Sequence, residues 1–220
     1  MKKQFLFFLF VGYLTILPTW AVVEAEPDTF LLRHKWDAQW ITCPDVPLNE
    51  YGVYHFRKDF SLAEQPESFV INISADNRYR LFVNEQPVCW GPARGDILHW
   101  YYETVDIASL LKPGKNVLAV TVWNFGEMTP GAQMTLKTGL IVQGNTSKEA
   151  MVNTDDSWKV FRNLAYSPSP KNRQDVGCSD IVKGELYPWG WESMDYDDAP
   201  WSKSRMLGRG QAYGTGSGYD

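Results

Sequence analysis

The chain is poor in the residues that most often carry metal, phosphate and nucleic-acid chemistry. Its three histidines, His34, His55 and His99, show no zinc-ligand spacing. Its three cysteines, Cys43, Cys89 and Cys178, cannot all pair with one another and are too few for a disulfide scaffold. They read as mostly small buried hydrophobes, with one bridge open to them. There is no basic run, and a formal net charge of −5 gives no electrostatic footprint for nucleic acid. A Gly-x-Ser-x-Gly elbow and a phosphate loop are both missing. No segment keeps a helical period over three turns.

Long apolar runs are almost absent as well. The one that stands out, Phe5 to Leu17, falls short of the roughly 20 residues that cross a bilayer as a helix. Lys2 and Lys3 precede it, Pro18 ends it, and small residues follow at Thr19/Ala21 and Val23/Ala25. That layout predicts a cleavable signal peptide over 1–25, a secreted or periplasmic location and no stable membrane span. A retained anchor is the alternative reading.

What the chain has in quantity is aromatic residues, 15% of the total, with ten tryptophans. Each Trp is either a rigid core residue or a platform on which the C–H face of a sugar can stack. The rest of the pattern is that of strands. Val53 to Phe60 alternates Tyr54, Phe56 and Phe60 with His55, Arg57 and Asp59, and Lys58 interrupts the apolar face as in an edge strand. Val117 to Trp123 is β-branched and nearly all apolar, so it reads as a central strand. Lys112-Pro113-Gly114-Lys115-Asn116 is a strong turn. Strand centres recur at intervals of about ten residues, a spacing that fits an all-β fold, an antiparallel β-sandwich or jelly roll. The expected core includes Phe56, Phe60, Ile71, Ile73, Leu81, Val83, Leu118 and Val120. Tyr187 to Trp191 and Asp197 to Trp201 read as irregular strands that return to close the sandwich. The domain is expected over 26–207, with a glycine-rich tail or linker over 208–220.

The string Ile73 to Asn84 joins two alternating segments through a polar corner, Asp76-Asn77-Arg78. Tyr79, Leu81 and Val83 face one way, and Asn84-Glu85-Gln86-Pro87 turns the chain into a second strand through Val88-Cys89-Trp90. Hard oxygens and hydrogen-bond donors at the end of a rigid sheet suit a sugar, or a calcium ion that holds one. The plainer reading of Asp76-Asn77 is an Asx-type turn. Arg78 and Arg80, two apart, share a face and are expected to pair with acids or to cover the sheet edge.

Several motifs together resemble the N-terminal part of bacterial (Bacteroidetes-like) α-L-rhamnosidases. They are Tyr51 to Lys58, the Asp76-Asn77-Arg78-Tyr79 corner, Gly91-Pro92-Ala93-Arg94-Gly95-Asp96, His99-Trp100, Gly114 to Val120, Trp123-Asn124, Gly190-Trp191-Glu192 and Asp197 to Trp201. The corner and the Gly114 turn are shared more widely with galactose-binding-like sandwiches. The resemblance implies a sandwich ahead of a helical-barrel catalytic domain that hydrolyses α-L-rhamnosides. Several hundred further residues would be needed for that barrel, so the expectation is a truncated product or a module standing apart from its catalytic domain. It implies sugar binding, including rhamnose-containing glycans, at Asp76, Asn77, Arg94, Trp100, Trp123 and Asn124. It also implies a calcium ion on Asp76, Asn77 and Asn124 with the Thr129-Pro130-Gly131 loop, since calcium takes about 6–8 oxygen ligands. Arg94-Gly95-Asp96 is read as a sugar contact or a loop brace.

Glu103, Asp106, Glu185, Glu192, Asp195, Asp197 and Asp198 invite an enzymatic reading, because glycoside hydrolysis needs two carboxylates across one bond. Asp197-Asp198 before Pro200-Trp201 is more economically a turn. Three functions therefore compete: a carbohydrate-binding accessory module, a stand-alone jelly-roll hydrolase or lyase, and a purely structural domain. The chain by itself is expected not to hydrolyse rhamnosides.

Overall fold

A computed structural model describes residues 23–96, 99–131, 133–170 and 177–210. The signal peptide expected over 1–25 falls almost wholly outside that range, as does the tail beyond 210. Among the described residues there is no α-helix, only short 3-10 turns, and no helix long and apolar enough to cross a membrane.

Two six-stranded antiparallel sheets face each other. In the first, β1 (Val23–Glu24), β7 (Glu103–Asp106), β4 (Val70–Asp76), β9 (Gly139–Gly144), β2 (Gln39–Thr42) and β14 (Arg205–Arg209) lie in that order. The second runs β13 (Ser202–Lys203), β10 (Lys159–Arg162), β3 (Gly52–Leu62), β8 (Gly114–Asn124), β5 (Arg78–Val83), β6 (Gln86–Gly91). A small hairpin, β11 (Tyr166–Pro168) with β12 (Asp180–Val182), stands apart.

The alternation read from the sequence places the core. Phe56, Phe60, Ile71, Ile73, Leu81, Val83, Leu118 and Val120 are all buried in one cluster between the sheets. Removing an apolar side chain from water contributes roughly 1.5–3 kcal/mol, so this layer is the main stabilising term. β8 is central, as its β-branched run requires, and it pairs with β3 along eleven positions from Gly52↔Asn124 to Leu62↔Gly114. The β5–β6 hairpin closes through Asn84 and Glu85, both at positive φ, the geometry that matches the twist of a two-residue hairpin. Asn84 Oδ1 accepts from Val117 N at 3.0 Å and its Nδ2 donates to Asn116 Oδ1 at 2.9 Å, which locks that turn to the next.

Three expectations need correction. β3 is not an edge strand: β10 and β8 flank it, and on its polar face His55 and Arg57 are buried while Asp59 stays exposed. The segments 187–191 and 197–201 are not closing strands but an aromatic layer over the outer face of the second sheet. Trp191 and Trp201 are buried there against Ala119, with Phe82, Phe161, Tyr187 and Tyr196 around them. The tail does not start at 208, because β14 runs through Arg209 and Gly210 N donates to Ala38 O at 3.0 Å. A Cβ on Gly210 would meet Ile141 Cδ1 at 2.5 Å and Trp36 Cβ at 3.2 Å, so the chain passes close under Trp36 here. The outer face of the first sheet carries a comparable patch built on Trp36, Trp40 and Ile141.

None of the three cysteines is in a disulfide, so the one open bridge is not made. Burial pushes the Cys43 thiol up to about 11, as expected of a small buried hydrophobe.

Candidate functional site

Strand register decides which side chains share the outer face of the second sheet. Arg78 pairs with Trp123, and Arg80 pairs with Thr121 on β8 and Trp90 on β6. These side chains stand on the face opposite Tyr79, Leu81 and Val83. The aromatic layer over that face leaves the β5–β6 side open. There lies a hollow of about 600 Å³, lined by Arg78, Arg80, Trp90, Arg94, Glu103 and Trp123, with Phe125 and Asp180 at its far wall. Trp90 is 80% exposed and Trp123 half-buried. Arg78, Arg80 and Arg94 are exposed, and among the described residues none of the three is in an ion pair. The expectation that Arg78 and Arg80 pair with acids is therefore corrected. Arg80 instead lies 4.9 Å from the Phe82 ring centroid, a cation–π contact that leaves its N–H groups at the hollow.

Glu103 fixes the rim. Its carboxylate accepts from the Tyr79 hydroxyl and from Ala93 N at 3.1 Å, so it clamps the Gly91-to-Arg94 loop to the sheet end. A Cβ on Gly91 would sit 2.1 Å from Glu103 Oε2, and glycine is what allows the loop to come so close. Burial holds the Glu103 carboxyl above the usual carboxylate range, against the pull of those hydrogen bonds. Both oxygens are engaged, which fits a positioning role better than a mobile general acid. In the same loop Asp96 accepts from His99 N at 2.9 Å and from His99 Nδ1 at 2.8 Å. Asp96 thus braces the loop, and Arg94 lines the hollow.

Asp76, Asn77 and Asn124 are brought together, but behind the hollow and fully buried. Asp76 Oδ2 accepts from Leu136 N at 2.6 Å and Lys137 N at 2.8 Å, while Oδ1 accepts from Asn77 Nδ2 at 2.6 Å. Asn77 Oδ1 takes Phe125 N at 2.8 Å, and Asn124 Oδ1 takes Gly126 N at 2.7 Å. Each side-chain oxygen of Asp76, Asn77 and Asn124 faces a backbone or amide N–H, whose positive end occupies the direction a cation would need. The residues present do not fit a calcium ion. They fit a brace that ties the corner between the sheets to the loop at 125–137, a larger version of the Asx-type turn. Burial holds the Asp76 carboxyl above its ordinary range, although four hydrogen bonds work to lower it.

Trp100 goes elsewhere. It packs with the first sheet's outer patch, edge-on to Trp40 at 6.4 Å between ring centroids, and does not line the hollow. Of the expected sugar contacts, the hollow gathers Arg94 and Trp123. Trp90, Glu103 and Asp180 also line it and were not among the site residues expected from the sequence. Trp90 was readable, because alternation along β6 puts it beside Arg80. Asp180 was not, since it arrives from a hairpin a hundred residues away in sequence.

Three of the other carboxylates, Asp198, Asp197 and Asp106, are engaged in structural contacts. Asp198 ion-pairs with Arg57 at 2.9 Å and Lys159 at 2.7 Å. Partial burial works to raise its carboxyl, but these two cations outweigh that and hold it below the usual range. Asp197 accepts from Ala199 N at 3.0 Å, the turn read from sequence. Asp106 accepts from Phe69 N, Ala108 N and Ser68 Oγ.

No family model and no curated protein matches the chain. Solved structures do. A GH78-family rhamnosidase of Bacillus sp. GL1 superposes with a TM-score of 0.72 at 26% identity, over 80% of this chain and 19% of that one. An α-L-rhamnosidase of Streptomyces avermitilis, complexed with L-rhamnose, gives a TM-score of 0.54 at 20% identity, over 89% of this chain and 16% of that one. A Pleurotus ostreatus lectin gives a TM-score of 0.54 at 20% identity, over 84% of this chain and 45% of that one. The last two likenesses are of fold alone. The chain spans about a fifth of the length of the Bacillus enzyme, as a rhamnosidase-like sandwich module would.

Proposed function

We propose that this chain is a carbohydrate-binding accessory sandwich of a rhamnosidase-like glycoside hydrolase, taking a rhamnose-type sugar in the hollow beside β5 and β6. The observation that carries the reading is the composition of that hollow. Two accessible indoles, Trp90 and Trp123, stand next to three arginines free of ion pairs with described residues. A sugar needs this combination, an apolar platform with a few polar anchors on a pre-formed surface. The likeness to rhamnosidases and to a lectin supports the substrate class. Lys2-Lys3 and the apolar run after them support export to the periplasm or beyond.

In this reading the module binds and does not cleave. Glu103 is the hollow's most shielded acid, and its oxygens are held by Tyr79 and Ala93. The chemistry belongs to a catalytic domain with which the sandwich would act, and binding here needs no metal. Calorimetric titration of the purified chain with L-rhamnose tests the proposal. Saturable binding is expected, weakened at least tenfold in Trp123→Ala, with no sugar released from an α-L-rhamnoside. Equal affinity in Trp123→Ala, or no binding by the unaltered chain, would refute it.

A further inference from the structure

A second hollow of about 450 Å³ opens on the same end of the same sheet, lined by Glu50, Tyr51, Glu127, Arg162, Tyr166 and Ser167, among others. Its relation to the first is fixed by strand register. Val53 borders the second hollow, Trp123 borders the first, and the two residues are direct cross-strand partners on β3 and β8. Neighbouring strands lie about 4.8 Å apart, so the facing borders of the two hollows are separated by about one strand spacing. Phe125 borders both. Between them the Tyr51 hydroxyl donates to Asp180 Oδ1 at 2.6 Å, Tyr51 belonging to the second hollow and Asp180 to the first. The dividing wall is thus a ring shared by both sides and one hydrogen-bonded pair, both of them groups that contact sugars well.

The second hollow repeats the chemistry of the first in a different mix. Tyr51 and Tyr166 supply half-buried rings, Arg162 a guanidinium, and Glu50 and Glu127 exposed carboxylates that can accept from hydroxyls. Burial, followed by the bond to Asp180, pushes the Tyr51 phenol well above its ordinary range, so its hydroxyl stays a donor at any working pH.

We infer that the two hollows form one groove for a glycan of at least two sugar units, the first unit against Trp90 and Trp123 and the next against Tyr51, Tyr166 and Arg162. The inference rests on the sugar-binding reading above and extends it from a single sugar to a chain. A linked second unit binds intramolecularly once the first is seated, so its contacts add affinity without a second association cost.

The test is a pair of calorimetric titrations, with methyl α-L-rhamnoside and with a rhamnose disaccharide. The disaccharide is expected to bind at least tenfold tighter. Arg162→Ala and Glu127→Gln should each erode that advantage severalfold while leaving the monosaccharide affinity in place. Glu127 is exposed, so its variant separates loss of contact from loss of folding. Equal affinities for the two sugars, or a disaccharide advantage untouched by both variants, would overturn the groove and leave the single-sugar reading standing. Failure of both sugars to bind would overturn the groove together with that reading.

Discussion

One face of the second sheet carries two versions of the same material. On the β3–β10 side Arg57 lies beside Trp191 under the aromatic layer, and the residue is 1% exposed. It donates to Asp198 at 2.9 Å, to Ser193 O at 2.9 Å and to Trp191 O, and so serves as a strut. On the β5–β6 side Arg78 and Arg80 lie beside Trp123 and Trp90, and among the described residues both arginines stay exposed. Guanidinium and indole are present in both places. What separates a scaffold from a site is whether the segment at 183–201 lies on top, because a desolvated arginine must be paired whereas an exposed one keeps donors to offer.

The sharpest way to break this comparison is to truncate an indole on each side. Trp191→Ala should cost about 3–5 kcal/mol of stability, the range for emptying a large aromatic site in a core. Trp90→Ala should stay within about 0.5 kcal/mol, as surface changes usually do. Urea unfolding of both variants checks this, and similar losses on the two sides would erase the distinction.

The buried corner behind the hollow gives the next effect. Asp76→Ala leaves the amides of Leu136 and Lys137 without their acceptor, and should cost about 1–3 kcal/mol. The loss is expected to be the same with added calcium and with a chelator. A thermal midpoint that rises with calcium in the unaltered protein and not in the variant would restore the metal reading.

An effect that is small per pH unit concerns acidity on the covered side. His55 is fully buried, stacked 4.0 Å from Trp191, with Nε2 accepting from Asn163 Nδ2 at 2.8 Å. Burial pulls its imidazole down to about 3 from an ordinary 6.5. Above 6.5 neither state binds the proton, so pH has no effect through this group. Between 6.5 and about 3 the unfolded chain takes it up and the folded one does not. Stability should therefore fall on acidification across that window, by up to about 1.4 kcal/mol per pH unit. A His55→Gln variant, compared with the unaltered chain at several pH values, should lack that component. Parallel pH curves would contradict it.

Much of the sandwich was legible in the sequence because strand alternation and turn residues are local signals. Leu81, Val83, Leu118 and Val120 announced the core, and Asn84-Glu85 the hairpin. Alternation also placed His55 and Arg57 correctly on one face, but it says nothing about what covers that face. The cover comes from residues well over a hundred positions away and carries no period of its own, so β3 looked like an edge. The site was legible in part for the same reason. Arg94 and Trp123 were readable from their motifs, whereas the acid-amide corner showed its oxygens without showing the N–H groups of Leu136, Lys137, Phe125 and Gly126 that they would meet.

The measurement that goes most directly to the claim that the open side binds sugar and the covered side does not is a proton–nitrogen correlation spectrum of the indole N–H groups during titration with L-rhamnose. The resonances of Trp90 and Trp123 are expected to shift in a saturable way, while those of Trp191 and Trp201 stay in place. Shifts confined to Trp191 and Trp201, or no shift at saturating sugar, would contradict the account.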